Sequence, residues 1–263
     1  MRVVGIGGAA RRVAGFAVGA ALVAATAGCA GGSEPAAAGA PATPAAAGGG
    51  ASAAASPSAP ASPSPVGTPG PAADRLKELL VAPATRIGRY QVSEPVLDEP
   101  FSEMYEAVPV VCTPLSTLSK AGHTAQAYGT VLVPEKPLEV GTAILLRSYP
   151  HETAARAALA SLAEAGRQCA GGYTEDRALA EAKVLRVEEV KAPAIGDEAR
   201  AYRIVTQDLK DEKISLYQYL TVVRTGSVTL SFDSSIIATH DFGGVPQEIV
   251  TAQWKKLSEG LAS

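Results

Sequence analysis

From Ala30 to Ala73 the chain consists of alanine, glycine, proline, serine and threonine, with Glu34 and Val66 the only departures. That composition carries too little apolar side chain to offset the entropy of ordering a backbone. The stretch therefore predicts a disordered tether, not part of a core. As a coil it would measure roughly 35–40 Å end to end, and about 130 Å if drawn into polyproline II. Serine and threonine beside proline can accept sugars, and a bare spacer serves equally well. Whatever folds must come from residues 74–263, where charges, aromatics and β-branched residues appear abruptly. That length supports one compact core or two small repeats, and no internal repeat is visible.

Upstream of the tether, residues 1–12 hold three arginines and no acid, and residues 13–27 are uncharged. A membrane span needs about 20 apolar residues, so this run is too short for one. A basic start, a short apolar centre and a small-residue end predict an export signal over residues 1–28. Arg11-Arg12 with Phe16 leaves the general and twin-arginine export routes open. The run ends in Thr26-Ala27-Gly28-Cys29, which resembles the lipobox of bacterial lipoproteins, although Thr26 stands where leucine is usual. The resemblance implies cleavage before Cys29 and a diacylglyceryl thioether, with a fatty acid such as palmitate, on its sulfur. Acyl chains on one residue would hold the chain at the outer face of the cell membrane, where a single chain is marginal.

Charge excludes one class of partner. Arg2, Arg11, Arg12 and Glu34 precede residue 74, which leaves 20 of the 23 basic and 25 of the 26 acidic side chains in the rest. An acidic body lacks the basic stripe that displaces counterions from phosphates, so no nucleic-acid partner is expected.

Periodicity organises the body. Residues 74–81 read as a short helix with Leu76, Leu79 and Leu80 on one face, and 127–133 and 142–149 read as strands. A helix over 150–168 presents Ala155, Leu159, Leu162 and Ala163 inward, with Ser148 as candidate N-cap, and Gly171-Gly172 stops it. Residues 183–190 and 200–207 alternate. So do 214–224 and 227–233, which flank Thr225-Gly226 as a two-residue hairpin link. Folding there sets Val223 beside Val228, Thr221 beside Leu230 and Tyr219 beside Phe232, with one face of the ribbon continuously apolar. A last helix runs from Pro246 with Ile249, Val250, Trp254, Leu257 and Leu261 at helical spacing. The order predicts an α+β fold: a twisted antiparallel sheet with helices packed on one side.

With Cys29 acylated, Cys112 and Cys169 remain. Outside the reducing cytoplasm they are expected to form a disulfide. No Cys-x-x-Cys and no neighbouring histidine favours a reactive or metal-binding pair.

Chemistry is harder to find. His123, His151 and His240 are isolated, with no His-Glu-x-x-His. His240-Asp241 offers an acid/base pair or a fragment of a metal site, and reads more simply as a loop at a strand's end. There is no Gly-x-Ser-x-Gly elbow, and Lys120 stands four residues after Ser116, one too far for Ser-x-x-Lys. No catalytic residue, metal site or cofactor is predicted. The candidate ligand-binding residues are Asp197, Glu198 and Arg224, around the turn Gly196-Asp197-Glu198-Ala199, and Tyr217 and Tyr219, which share a face with Phe232. In each set the structural alternative is strong: an Asx-type turn closed by Asp197 and ion pairs to Arg200 or Arg224, and a core stripe of aromatics.

The lipobox, the Ala/Pro/Ser tether and the cysteine after an Ala-rich helix (Ala154–Cys169) resemble actinobacterial exported lipoproteins with a sensor-type domain. Ile195-Gly196-Asp197-Glu198-Ala199 and Val222-Val223-Arg224-Thr225-Gly226-Ser227-Val228 are similar to the extracellular domain of PknH-type receptor serine/threonine kinases. The resemblance spans about residues 74–261. It implies a twisted antiparallel sheet with flanking helices, disulfides, and a cleft for an unknown ligand. The kinase family has two cysteine pairs where this chain has one, and this chain has no kinase domain. The expectation is a lipid-anchored extracytoplasmic domain that binds an envelope ligand or a protein partner without catalysis. The alternatives are a cell-envelope hydrolase with dispersed active-site residues, and a lipid or glycolipid carrier, which needs a large apolar cavity between sheet and helices.

Overall fold

The β-branched runs read above pair into one sheet, and the short links between them set its order. The computed structural model describes residues 67–95, 97, 99–136, 140–177, 180–235 and 239–263; the signal segment, Cys29 and the tether up to Val66 lie outside the described residues. The helices are α1 (Ala73–Leu79), α2 (Thr113–Ser116), α3 (Glu152–Gln168) and α4 (Gln247–Ala262). The strands are β1 (Arg86–Ile87), β2 (Tyr90–Ser93), β3 (Glu106–Val108), β4 (Ala125–Leu132), β5 (Gly141–Ser148), β6 (Tyr173–Asp176), β7 (Glu181–Glu189), β8 (Glu198–Gln207), β9 (Ser215–Thr225) and β10 (Val228–Ser235). They form a ten-stranded sheet in the order β1-β2-β4-β5-β10-β9-β8-β7-β6-β3. Every pairing is antiparallel. The α+β class with an antiparallel sheet is thus the observed one.

The helices depart from the expected single side. Val223 packs with Leu76 and Leu79 of α1 and with Ile249, Val250 and Leu257 of α4. Its neighbour Val222 packs with Leu159, Leu162 and Ala165 of α3. Adjacent residues of a strand point to opposite faces, so α1 and α4 cover one face (face A) and α3 covers the other (face B). The hairpin register also shifts. Thr225 pairs with Val228, Val223 with Leu230 and Thr221 with Phe232, so the link is Gly226-Ser227 and not Thr225-Gly226. Moving the turn by one residue moves each partner by two, which leaves every side chain on its expected face. Ser148 is not the cap of α3. It ends β5 and donates its hydroxyl to the Pro71 carbonyl at 2.6 Å, while His151 Nδ1 accepts from Ala154 N at 3.1 Å.

Two further features position the site. The chain leaves β2 near one edge of the sheet, forms β3 at the opposite edge, and returns to β4 beside β2. Its path, through a 3-10 turn at Phe101–Met104 and through α2, makes a strap across face B. The disulfide Cys112–Cys169, with Cα atoms 5.9 Å apart, ties that strap to the end of α3. The last residues before α1 also touch the body. Gly70 N donates to Tyr149 O at 3.0 Å, and Ser227 Oγ donates to Thr68 O at 2.8 Å.

Candidate functional site

Asp197, Glu198 and Arg224 do come together. Arg224 is 4% exposed. Its Nη1 donates to Asp197 Oδ2 at 3.0 Å, to Gly226 O at 3.1 Å and to Glu152 Oε1 of α3 at 3.3 Å. Glu198 Oε2 lies 4.0 Å from Arg224 Nε. Asp197 Oδ2 also accepts from Gly226 N at 2.7 Å. Gly196 has φ of +69°, and a Cβ there would lie 2.5 Å from Arg224 O. The motif therefore knots the start of β8 to the hairpin turn and to the first turn of α3, where Glu152 also favours the helix dipole. The buried guanidinium is neutralised by carboxylates that themselves reach solvent, Asp197 and Glu152 being about half exposed.

Tyr217 and Tyr219 lie on the opposite face of β9 from Arg224, so the five candidates are two groups and not one site. Tyr217 is half-buried opposite Val205. Tyr219 is buried and donates to Asp241 Oδ1 at 2.5 Å, with the Phe242 ring edge-on at 5.0 Å. Arg203 Nη1 and Gly243 N also serve Asp241. Burial, then Asp241, pushes the Tyr219 hydroxyl up to about 12. The Tyr219 hydrogen bond in turn holds Asp241 below the usual carboxylate range. His240 is exposed beside this cluster. His123 is half-buried near Arg147 and Glu103, and burial pushes its imidazole down.

A hollow of about 550 Å³ lies on face A, where Tyr219 lines it with Thr221 and Val250; two hollows that sequence reasoning missed lie on face B, on either side of the strap. One is an apolar groove of about 680 Å³ between the strap and α3, walled by Tyr105, Val108, Val110, Pro114 and Leu118, with Ser161 and Glu164 of α3 at its edge. Val108 and Val110 are 62% and 80% exposed. Beyond Tyr105, which lines both, lies a polar hollow of about 320 Å³ over β4, β5, β9 and β10, lined among others by Tyr128, Gln218, Asp233 and Arg177. The Arg177 guanidinium stacks on the Tyr105 ring at 4.8 Å and forms the wall between the two.

The polar hollow is lined by half-buried groups that rest on a buried polar network. Gln218 Nε2 donates to both Asp233 oxygens at 2.9 Å. Burial pushes the Asp233 carboxyl up to about 6, against the pull of that amide. Arg177 spends Nε and Nη2 on Glu175 Oε2, at 3.0 and 2.6 Å. Glu175 Oε1 accepts from Tyr173 Oη at 3.0 Å and from Ser116 Oγ. Arg147 pairs with Glu103 of the strap, both nearly fully buried. Below the hollow a narrow recess shares Ser102 and Asp233 with it and reaches Glu103 and Ser231. One signal of this site was in the sequence: Thr229, Ser231 and Asp233 alternate with the apolar residues of β10, and on an exposed face such residues need no explanation.

No family model matches this chain, and no curated protein matches it. Among solved structures, the extracellular domain of PknH from Mycobacterium tuberculosis aligns with a TM-score of 0.52 at 13% sequence identity, over 76% of this chain and 99% of that chain. An uncharacterised protein of Mycobacterium smegmatis, the Rv0999 ortholog, aligns with a TM-score of 0.30 at 13% identity, over 66% of this chain and 88% of that one. The second likeness is too slight to carry an argument. The first is a likeness of fold: the body of this chain resembles the PknH extracellular domain, as the short motifs implied.

Proposed function

We propose that this chain is a lipid-anchored extracytoplasmic domain that binds a ligand or partner in the face-B cleft, without catalysis. The observation that carries the reading is the cleft itself. A polar and an apolar hollow adjoin at one tyrosine of a strap that runs between them and is tied down by a disulfide. Such concave, mostly apolar sites with a few convergent polar groups are where ligands bind. The likeness to an extracellular domain supports the placement, and the lipobox at Cys29 supports the anchor. Among the described residues, no helix is long and apolar enough to cross a membrane; the attachment proposed here is through acyl chains on Cys29.

Two experiments test the parts separately. Mass spectrometry of the mature N-terminus should find Cys29 as first residue with an acyl adduct, and Cys29→Ala should release the chain from the membrane fraction; an unmodified N-terminus elsewhere sinks the anchor. For the cleft, a fluorescent fatty acid should bind saturably, and Val108→Asp or Val110→Asp should abolish that binding. Both side chains are exposed, so neither change threatens the core. Turnover of a wall or lipid substrate, lost on a single substitution, would replace the binding reading with the hydrolase.

A further inference from the structure

We propose that the polar hollow is a subsite for an uncharged polyhydroxylated ring, a hexopyranose or a cyclitol. The proposal rests on the face-B cleft being a ligand site and names what its polar half takes. Size and charge narrow the class. At about 320 Å³ the hollow is at the low end for a ligand site, near the scale of a single ring. Its cations are engaged: Arg177 faces Glu175 through two nitrogens, and Arg147 faces Glu103. An anionic ligand would meet the Asp233 carboxyl with no guanidinium dedicated to it. A cationic ligand would meet Arg177 beside a single acid, among described residues that hold no cluster of three metal-ligating side chains.

The hydrogen-bonding groups suit hydroxyls. A carboxylate offers about four lone-pair sites, and the Gln218 amide takes one on each oxygen of Asp233, so two remain for a pair of vicinal hydroxyls. Tyr128 faces Asp233, and burial raises its hydroxyl, which keeps it a donor. The Tyr128 ring supplies apolar surface for the C–H face of a ring. A second observation points to the same place. Glu103 Oε2 and Ser231 Oγ are buried without a hydrogen-bond partner, and both residues line the recess beneath Asp233. Native proteins leave few such atoms unsatisfied, and a ligand hydroxyl reaching the recess would serve them. The ring could arrive as a free saccharide or as the head of a glycolipid whose chain lies past Tyr105 in the apolar groove.

The test uses backbone ¹⁵N–¹H spectra of the full chain. The probes are D-glucose, D-mannose, myo-inositol and its hexakisphosphate, dodecanoate, and phosphatidylcholine vesicles with and without monogalactosyldiacylglycerol. The expected result is saturable shifts at Thr130, Ala143 and Gln218, weakened at least tenfold by Asp233→Asn and several-fold by Tyr128→Phe. Val110→Asp should leave free-sugar binding unchanged. Shifts with free sugars assign a saccharide source; shifts only with galactolipid vesicles, weakened also by Val110→Asp, assign a lipid-borne head. Tighter binding of the hexakisphosphate, or sugar binding indifferent to Asp233→Asn, overturns the proposal. Dodecanoate binding confined to Val110 and Leu118 overturns it and leaves the binding reading standing. Silence with every probe overturns both.

Discussion

Asp233 shows how one residue couples the site to stability. Its carboxyl is pushed from an ordinary 3.8 up to about 6 in the folded chain, chiefly by burial. An acid raised in this way binds a proton more readily folded than unfolded. Its favourable contribution is complete below about pH 4 and is lost as pH rises through about 6. Above that range the fold carries a half-buried carboxylate, partly compensated by Gln218 and by Arg177 across the hollow and opposed by Glu175. Asp233→Asn keeps the shape and one acceptor and removes the charge. It should stabilise the chain by about 1–2 kcal/mol at pH 7.5 and by nothing measurable at pH 4. Urea denaturation at the two pH values reads the difference directly, and equal effects at both would show that the carboxyl titrates as in water. The same substitution should weaken ring binding, so stability and affinity move in opposite directions, as expected where a site is held against the preference of the fold.

At the scale of elements, the contact between α1 and α4 turns on a residue that periodicity passes over. Ile249, Val250 and Leu257 were legible as an apolar face, and all three are buried. Gln253 lies on the same face and is fully buried as well. Its Oε1 accepts from Val81 N at 3.0 Å, and its Nε2 donates to Leu79 O at 2.8 Å. A helix end leaves carbonyls without intrahelical partners, and α1 ends at Leu79, so α4 supplies the cap. Gln253→Leu fills the volume and strands both backbone groups. It should cost about 2–3 kcal/mol, with hydrogen exchange at Val81 speeding up more than at the sheet centre. The elements that escaped reading failed for an equally local reason. β1, β2, β3 and β6 run two to four residues each, too short to show a period of two. In β7 the register shifts between Val184 and Arg186, so Val184 and Val187 both face α3 and strict alternation breaks. The hairpin, the long helices and the cysteine pair were legible because each rests on a signal within a dozen residues, or on compartment alone.

For the whole molecule, the decisive contact is non-local. Alternation in β10 reads as one buried and one wet face, yet Thr229 and Ser231 on the polar face are fully and nearly fully buried. The cover over Thr229 and Ser231 comes from the strap, whose course from one sheet edge to the other has no signature in residues 94–124, and from α3, which the single-sided expectation placed with the other helices. The site was invisible for the same reason: its wall, Tyr105, belongs to the strap, and its floor, Gln218 and Asp233, belongs to strands more than a hundred residues later. Holding the strap is then the task of the disulfide. Cys112 and Cys169 close a separation of 57 residues, for which chain entropy gives roughly 4 kcal/mol, an upper figure because strain subtracts from it. Both cysteines are buried against Leu115, Leu159 and Leu162, so the paired Cys112→Ala and Cys169→Ala variant keeps a packed core and loses the tie. It should unfold at lower denaturant by up to that amount. Hydrogen exchange should rise most across residues 105–118, which line the apolar groove, and least across β9 and β10, which are held by ladders on both sides. Fatty-acid binding should fall with it, since both walls of the groove are set by the bond. Uniform loosening of sheet and strap would instead make the disulfide a global staple with no special hold on the cleft.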